Sequence, residues 1–109
     1  PFLLRLYLSP EFHLGPGKAD VLQAIADSGS ISAAGRALGM SYRRTWQLVT
    51  AMNTHFREPL VITAAGGSSG GGAQLTALGE DVLARYRTMH AACAAAIEAD
   101  LKYLRERVG

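Results

Sequence analysis

Apolar positions along these 109 residues recur with two periods, and the period switches wherever glycine, proline or serine interrupts it. Residues 2–8 are mostly apolar, with Arg5 and Tyr7 as solvent-side breaks, which predicts a first strand. Ser9-Pro10 is a turn signal, so residues 11–14 are expected to return as the second strand of a hairpin. After Gly15-Pro16-Gly17 the spacing lengthens, and Val21, Leu22, Ile25 and Ala26 predict a helix over 18–28.

Residues 29–57 then read as two short helices joined by a tight turn. Ser32 is expected to cap the first, which carries Ala33, Ala34, Ala37 and Leu38 inward. Gly39 supplies a left-handed residue to end it, Met40 plugs the corner, and Ser41 caps a second helix over 42–56. In that helix Thr45, Leu48, Val49, Met52 and Phe56 share one face, with Trp46 at its edge. Tyr42, Arg43, Arg44, Gln47, Thr50, Ala51 and Thr54 fall on or near the other. This is the layout of a helix-turn-helix, whose second helix lies in the DNA major groove with its N-terminal turns against base edges.

Glu58-Pro59 stops the helix, because the residue before proline is pushed out of the α region. Residues 60–63 predict a strand, 64–73 are glycine-rich, and 74–76 predict a short returning strand. A glycine-rich tip between two strands, directly after such a helix, is the wing of a winged helix; the competing reading is a flexible linker. Thr76 can cap a last helix with Glu80 and Asp81 at its favourable end. Leu78, Val82, Tyr86, Met89, Cys93, Ile97, Leu101, Leu104 and Val108 follow at spacings of three and four, in an alanine-rich, proline-free segment. So long an apolar stripe exceeds what the preceding residues can cover, and a second copy is its natural cover. The expected interface is Val82, Tyr86, Met89, Cys93, Ile97, Leu101 and Leu104. The fold class that follows is mainly α with small β: a winged helix-turn-helix over residues 1–76 (helix-turn-helix 30–56, wing 60–76), preceded by an N-terminal strand or hairpin. Residues 77–109 form the long C-terminal dimerisation helix.

Charge sharpens the picture more than composition does. Eleven Lys and Arg stand against nine Asp and Glu, but residues 29–57 hold Arg36, Arg43, Arg44 and Arg57 and no acid. The rest of the chain is slightly acidic. One basic segment in a nearly neutral protein suits phosphate. The single cysteine, Cys93, excludes an internal disulfide framework and fits a reducing cytoplasm. No apolar run approaches the ~18 residues that span a bilayer, and the start lacks the apolar length and small residues of a signal peptide, so no membrane partner is expected.

Candidate chemistry is thin elsewhere. Gly15-Pro16-Gly17-Lys18 invites comparison with a phosphate loop, but Ala19 follows the lysine, which leaves a turn with Lys18 solvated at a helix start. His90 and Cys93 sit three apart as half of a conceivable metal site, with His13 and His55 isolated, so no metal is expected. No HExxH, no G-x-S-x-G and no carboxylate pair outside polar helix faces is present, so no catalytic residue is expected and the chain is not read as an enzyme.

Residues 29–53, GSISAAGRALGMSYRRTWQLVTAMN, and the glycine-studded stretch ending Ala73-Gln74-Leu75-Thr76 resemble the N-terminal DNA-binding domain of ModE-type, molybdate-responsive transcriptional regulators. More distantly they resemble the LysR-type winged helix. The resemblance covers residues 15–76 and continues in pattern into the long helix. It implies a homodimer joined by N-terminal strands and the last helix, on a palindromic operator in double-stranded DNA. The DNA-contacting residues would be Ser32, Ser41, Tyr42, Arg43, Arg44 and Gln47, with Gly67, Ser68, Ser69 and Gly70 in the wing. Two departures are evident. ModE-type regulators carry C-terminal oxyanion-binding domains, for which 109 residues leave no room, so molybdate enters only by family analogy and no cofactor is expected in this chain. Ser68 and Ser69 also stand where a basic residue often sits among the wing glycines, which predicts weaker attraction to phosphate. Two other functions remain open: a winged helix used as a protein-interaction or dimerisation module, and a small regulator with an oxyanion at its dimer interface or under a separate sensor protein.

Overall fold

The computed structural model describes residues 2–64 and 72–109. Eight elements follow one another: β1 (Leu6–Ser9), β2 (Phe12–Leu14), α1 (Pro16–Ser28), α2 (Ile31–Leu38), α3 (Tyr42–His55), β3 (Val61–Thr63), β4 (Ala73–Leu75) and α4 (Ala77–Arg105). Each pair of strands forms its own antiparallel two-stranded sheet, with Leu6 opposite Leu14 in the first and Val61 opposite Leu75 in the second. The architecture is a winged helix with an added N-terminal hairpin and a long last helix.

The N-terminal segment pairs over a shorter span than its apolar pattern predicts. Residues 2–5 are not in the sheet; they run against α4 instead. There the Tyr86 hydroxyl donates to the Leu4 carbonyl at 2.7 Å, and His90 Nε2 lies 2.8 Å from the Phe2 carbonyl, which can only accept. His90 is thereby committed as a donor at Nε2, and Cys93, placed by its spacing on the apolar stripe, is exposed. Among the described residues no group of three His, Cys, Asp or Glu could hold a metal ion. Burial raises the pKa of the Tyr86 phenol, with Asp20 adding to the shift and Arg87 opposing it, so the hydroxyl stays a donor.

Helix α1 starts two residues earlier than expected, because Pro16 has the φ a first helical residue needs and no N–H to leave unsatisfied. Val21, Leu22 and Ile25 enter the core with Ala19; Ala26 faces solvent. Gly29 ends the helix with φ 78°, its N–H donating to the Ile25 carbonyl at 2.8 Å. The left-handed turn sets Ser30 first in the extended region, and Ser30 Oγ accepts from Ala33 N–H at 2.9 Å. Ser30, not Ser32, is therefore the cap of α2. The same shift of phase buries Ile31, Ala34 and Gly35 and leaves Ala37 outside.

The core lies where α1, α2 and α3 meet, closed by Phe12 and Leu14 of β2, Leu60 and Val61, and the start of α4. Thr76 Oγ1 accepts from Gly79 N–H at 3.0 Å and donates to the Pro59 carbonyl at 2.8 Å, while its N–H donates to the Leu60 carbonyl. A side chain at Gly79 would collide with that Leu60 carbonyl, so only glycine lets α4 begin this close to the strand. Leu83 and Tyr86 are the last α4 side chains in the core. Tyr86, expected at the contact between copies, is 1% exposed within its own chain and unavailable to a partner. Past it Met89 is 39% exposed and Leu104 58%, with Ile97 and Leu101 half-buried. No helix is long and apolar enough to cross a membrane among the described residues.

Candidate nucleic-acid interface

The angle between α2 and α3 is set by a close approach. A Cβ on Gly35 would lie 2.7 Å from Thr45 Oγ1 and 3.1 Å from the Met40 carbonyl, so the bare backbone of α2 there meets the Thr45 side chain of α3 and the turn between the helices. Thr45 is fully buried, and its hydroxyl donates to the Ser41 carbonyl at 2.9 Å. Gly39 turns the chain at φ 68°, and Met40 N–H donates back to Gly35 at 2.8 Å. Ser41 caps α3 through Arg44 N–H at 3.0 Å. The corner holds the first turn of α3 through the Ser41 and Thr45 hydroxyls and backbone bonds, and leaves the side chains of Tyr42, Arg43 and Arg44 uncommitted.

Those side chains point outward. Ser41, Tyr42, Arg43, Arg44 and Gln47 are all exposed, as is Ser32 at the start of α2. Leu48, Val49, Met52 and Thr45 take the inner face. Trp46, placed by its spacing at the edge of the core, is 48% exposed and belongs with Tyr42 on the outer face one turn away. One surface therefore presents two guanidinium groups, an amide, two large aromatics and two hydroxyls.

The wing stem is tied to the same unit. Asn53, near the end of α3, accepts from Leu60 N–H at 2.8 Å and Val61 N–H at 3.1 Å through Oδ1, and donates to the Val61 carbonyl at 3.0 Å through Nδ2. On the other strand Ala73 N–H donates to the Gly29 carbonyl at 2.8 Å. The hairpin base is thus bonded both to α3 and to the corner before α2. Gly67, Ser68, Ser69 and Gly70, expected at the wing tip, lie outside the described residues.

Sequence reasoning missed Gly35 and Asn53, which lie behind the exposed face of α3 and fix how α2, α3 and the wing stem meet. A glycine inside a helix is itself a signal, since it costs about 1 kcal/mol against alanine unless something must come close. Asn53 gave no such signal; its partners exist only once the strand has folded back over the helix end.

Residues 18–80 match the bacterial regulatory helix-turn-helix proteins of the lysR family. The chain belongs to that family. The chain is similar to the molybdenum-pterin-binding protein MopB of Rhodobacter capsulatus, 44% identical over 74% of this chain and 30% of the relative. It is also similar to the molybdenum transport protein ModE of Azotobacter vinelandii, 34% identical over 99% of this chain and 41% of the relative. The DNA-binding transcriptional dual regulator ModE of Escherichia coli strain K12 is 38% identical over 77% of this chain and 32% of its own length. The chain thus spans well under half of these relatives. Among solved structures, the full-length LysR-type regulator LysG of Corynebacterium glutamicum with bound effector Arg superposes with a TM-score of 0.60 at 28% identity, over 87% of this chain and 30% of that one. The family and the fold agree: this is a ModE-like, LysR-type winged helix-turn-helix.

Proposed function

We propose that this chain reads a specific DNA sequence as one half of a symmetric dimer that regulates transcription in the cytoplasm. Residues 1–76 are the reading unit and 77–109 the pairing helix. The observation that carries the reading is the outer face of α3, where Tyr42, Arg43, Arg44 and Gln47 stand exposed beside the Ser41 cap in a segment with no acidic residue. Arginine reaches guanine and glutamine reaches adenine through paired hydrogen bonds in the major groove. Ser32 would add a hydroxyl contact from α2, and the wing residues Gly67 to Gly70 a backbone approach to the neighbouring groove. The dimer contact rests on the apolar stripe of α4 without Tyr86, through Val82 and then Met89, Cys93, Ile97, Leu101 and Leu104. Two copies so joined would read half-sites about one helical turn, ~34 Å, apart.

Selection of bound sequences from a random DNA pool tests this directly. A palindrome with that spacing is the expected product. Replacing Arg43 with alanine should then cost about 1–3 kcal/mol at one base pair and relax preference there, read by fluorescence anisotropy on single-base variants of the site. A pool that yields no consensus, or an equal loss on every sequence, would defeat the claim of base readout. The names of the relatives make molybdenum the candidate signal for the regulator; a melting temperature raised by molybdate and not by sulfate would support a site within these residues.

A further inference from the structure

A second basic cluster stands beside the start of α3, and of its members only Arg44 is among the candidate DNA contacts. Arg5 Cγ and His13 Cδ2 both lie over Gly15, 3.9 and 3.8 Å from where a Cβ on that glycine would be. Lys18, in the first turn of α1, is not freely solvated: its Nζ sits 5.2 Å from the centre of the Phe12 ring, which stacks on His55 at 4.6 Å. Desolvation, then Arg44 and Arg5, lower the Lys18 pKa; desolvation, then Lys18 and Arg5, lower that of His13. Arg5 and His13 over Gly15, and Lys18 over Phe12, thus bring basic groups from the segment before β1, from β2 and from α1 to one end of the hairpin, with Arg44 in the first turn of α3 close enough for its charge to act on Lys18. Among the described residues the ion pairs are Arg85–Asp81 and Arg87–Asp20, so no carboxylate neutralises Arg5, Lys18 or Arg44. The start of α1 adds no acid in its first turn. Like charges held together without a counter-ion cost stability, and an anion seated among them relieves that cost.

We infer that Arg5, His13 and Lys18, with Arg44 as the link to α3, form a clamp for the sugar-phosphate backbone flanking the half-site whose bases α3 reads. The inference rests on the DNA-reading function proposed above. Continuity with Arg44 decides the occupant: a duplex held against α3 brings its phosphates to the same side of the molecule. Arg5 and His13 lie outside residues 18–80, so the N-terminal hairpin would extend the footprint beyond what the matched family segment supplies.

Arg5→Gln, Lys18→Gln and the double variant test this, with binding to a mixed-sequence DNA duplex followed by anisotropy over a range of salt. Each lost phosphate contact should lower the slope of log affinity against log salt by about 0.9 and weaken binding roughly five- to tenfold near physiological salt. Base preference should not change, and the melting temperature should hold or rise as repulsion is relieved. Arg85→Gln, an equal loss of charge on α4, should leave the slope as it is. An unchanged slope in the double variant, or the same drop in Arg85→Gln, overturns the clamp. If the unaltered protein shows no salt-dependent binding at all, the DNA-reading function fails and the clamp with it, whereas Arg43→Ala losing base preference while the double variant matches wild type removes the clamp alone.

Discussion

Gly35 and Thr45 hold α2 and α3 at one angle, and the geometry leaves neither much freedom. A methyl group at Gly35 would meet Thr45 Oγ1 at 2.7 Å and the Met40 carbonyl at 3.1 Å, both fixed by the corner they belong to. The favourable helix propensity of alanine cannot offset that overlap. Gly35→Ala should destabilise by about 1–3 kcal/mol in urea denaturation, the cost typical of an overpacked contact. Adding Thr45→Ala should recover part of it by removing the nearer oxygen. A Gly35→Ala protein as stable as the parent would mean the helices can slide apart without penalty. Ser41 makes the complementary case: its cap bond to Arg44 N–H orders the very turn that carries the arginines, so local stability and the placement of the proposed contacts share one side chain.

At the scale of elements, Asn53 joins α3 to the wing. Its amide makes three bonds to Leu60 and Val61, all at 3.1 Å or less, and each net bond contributes about 0.5–1.5 kcal/mol. Asn53→Ala should therefore cost about 1–3 kcal/mol, and hydrogen exchange should locate the damage: the Leu60 and Val61 amides lose their acceptor and protection while those of α1 keep theirs. Uniform loss across the domain would instead mean that the wing stem and the helices unfold as one unit. The helix-turn-helix was legible in advance because capping and turn chemistry are local. Gly39 and Ser41 signal their roles within a few residues of chain, and the structure keeps both. The cap of α2 was misplaced by two residues because both Ser30 and Ser32 have the right chemistry; the left-handed Gly29 decides between them by fixing where the chain next becomes extended.

Over the whole molecule, α4 divides at Tyr86. Its first turns complete the core, and beyond His90 the helix extends away from the body with a half-exposed apolar stripe. If two copies pair along it, Ile97→Glu or Leu101→Glu should shift the protein from dimer to monomer in sedimentation velocity. The core around Leu83 and Tyr86 should remain folded by circular dichroism. Monomeric variants should also bind a single half-site far more weakly than the parent binds a full palindrome, since the second contact is no longer intramolecular. A wild-type protein that sediments as a monomer at high concentration would remove pairing from the account.

Periodicity, caps and breakers along the chain were enough to determine which elements form and in what order, since each depends on residues within a turn or two. They determined as well that one segment carries net positive charge. Tertiary structure alone decided what those elements meet: that Trp46 turns outward, that Tyr86 is spent on the Leu4 carbonyl rather than a partner, that Lys18 lies on Phe12. Such contacts join residues as far apart along the chain as Leu4 and Tyr86. No local pattern encodes a distance across the core; it is set by how closely the helices can approach, and here a glycine at the crossing sets it.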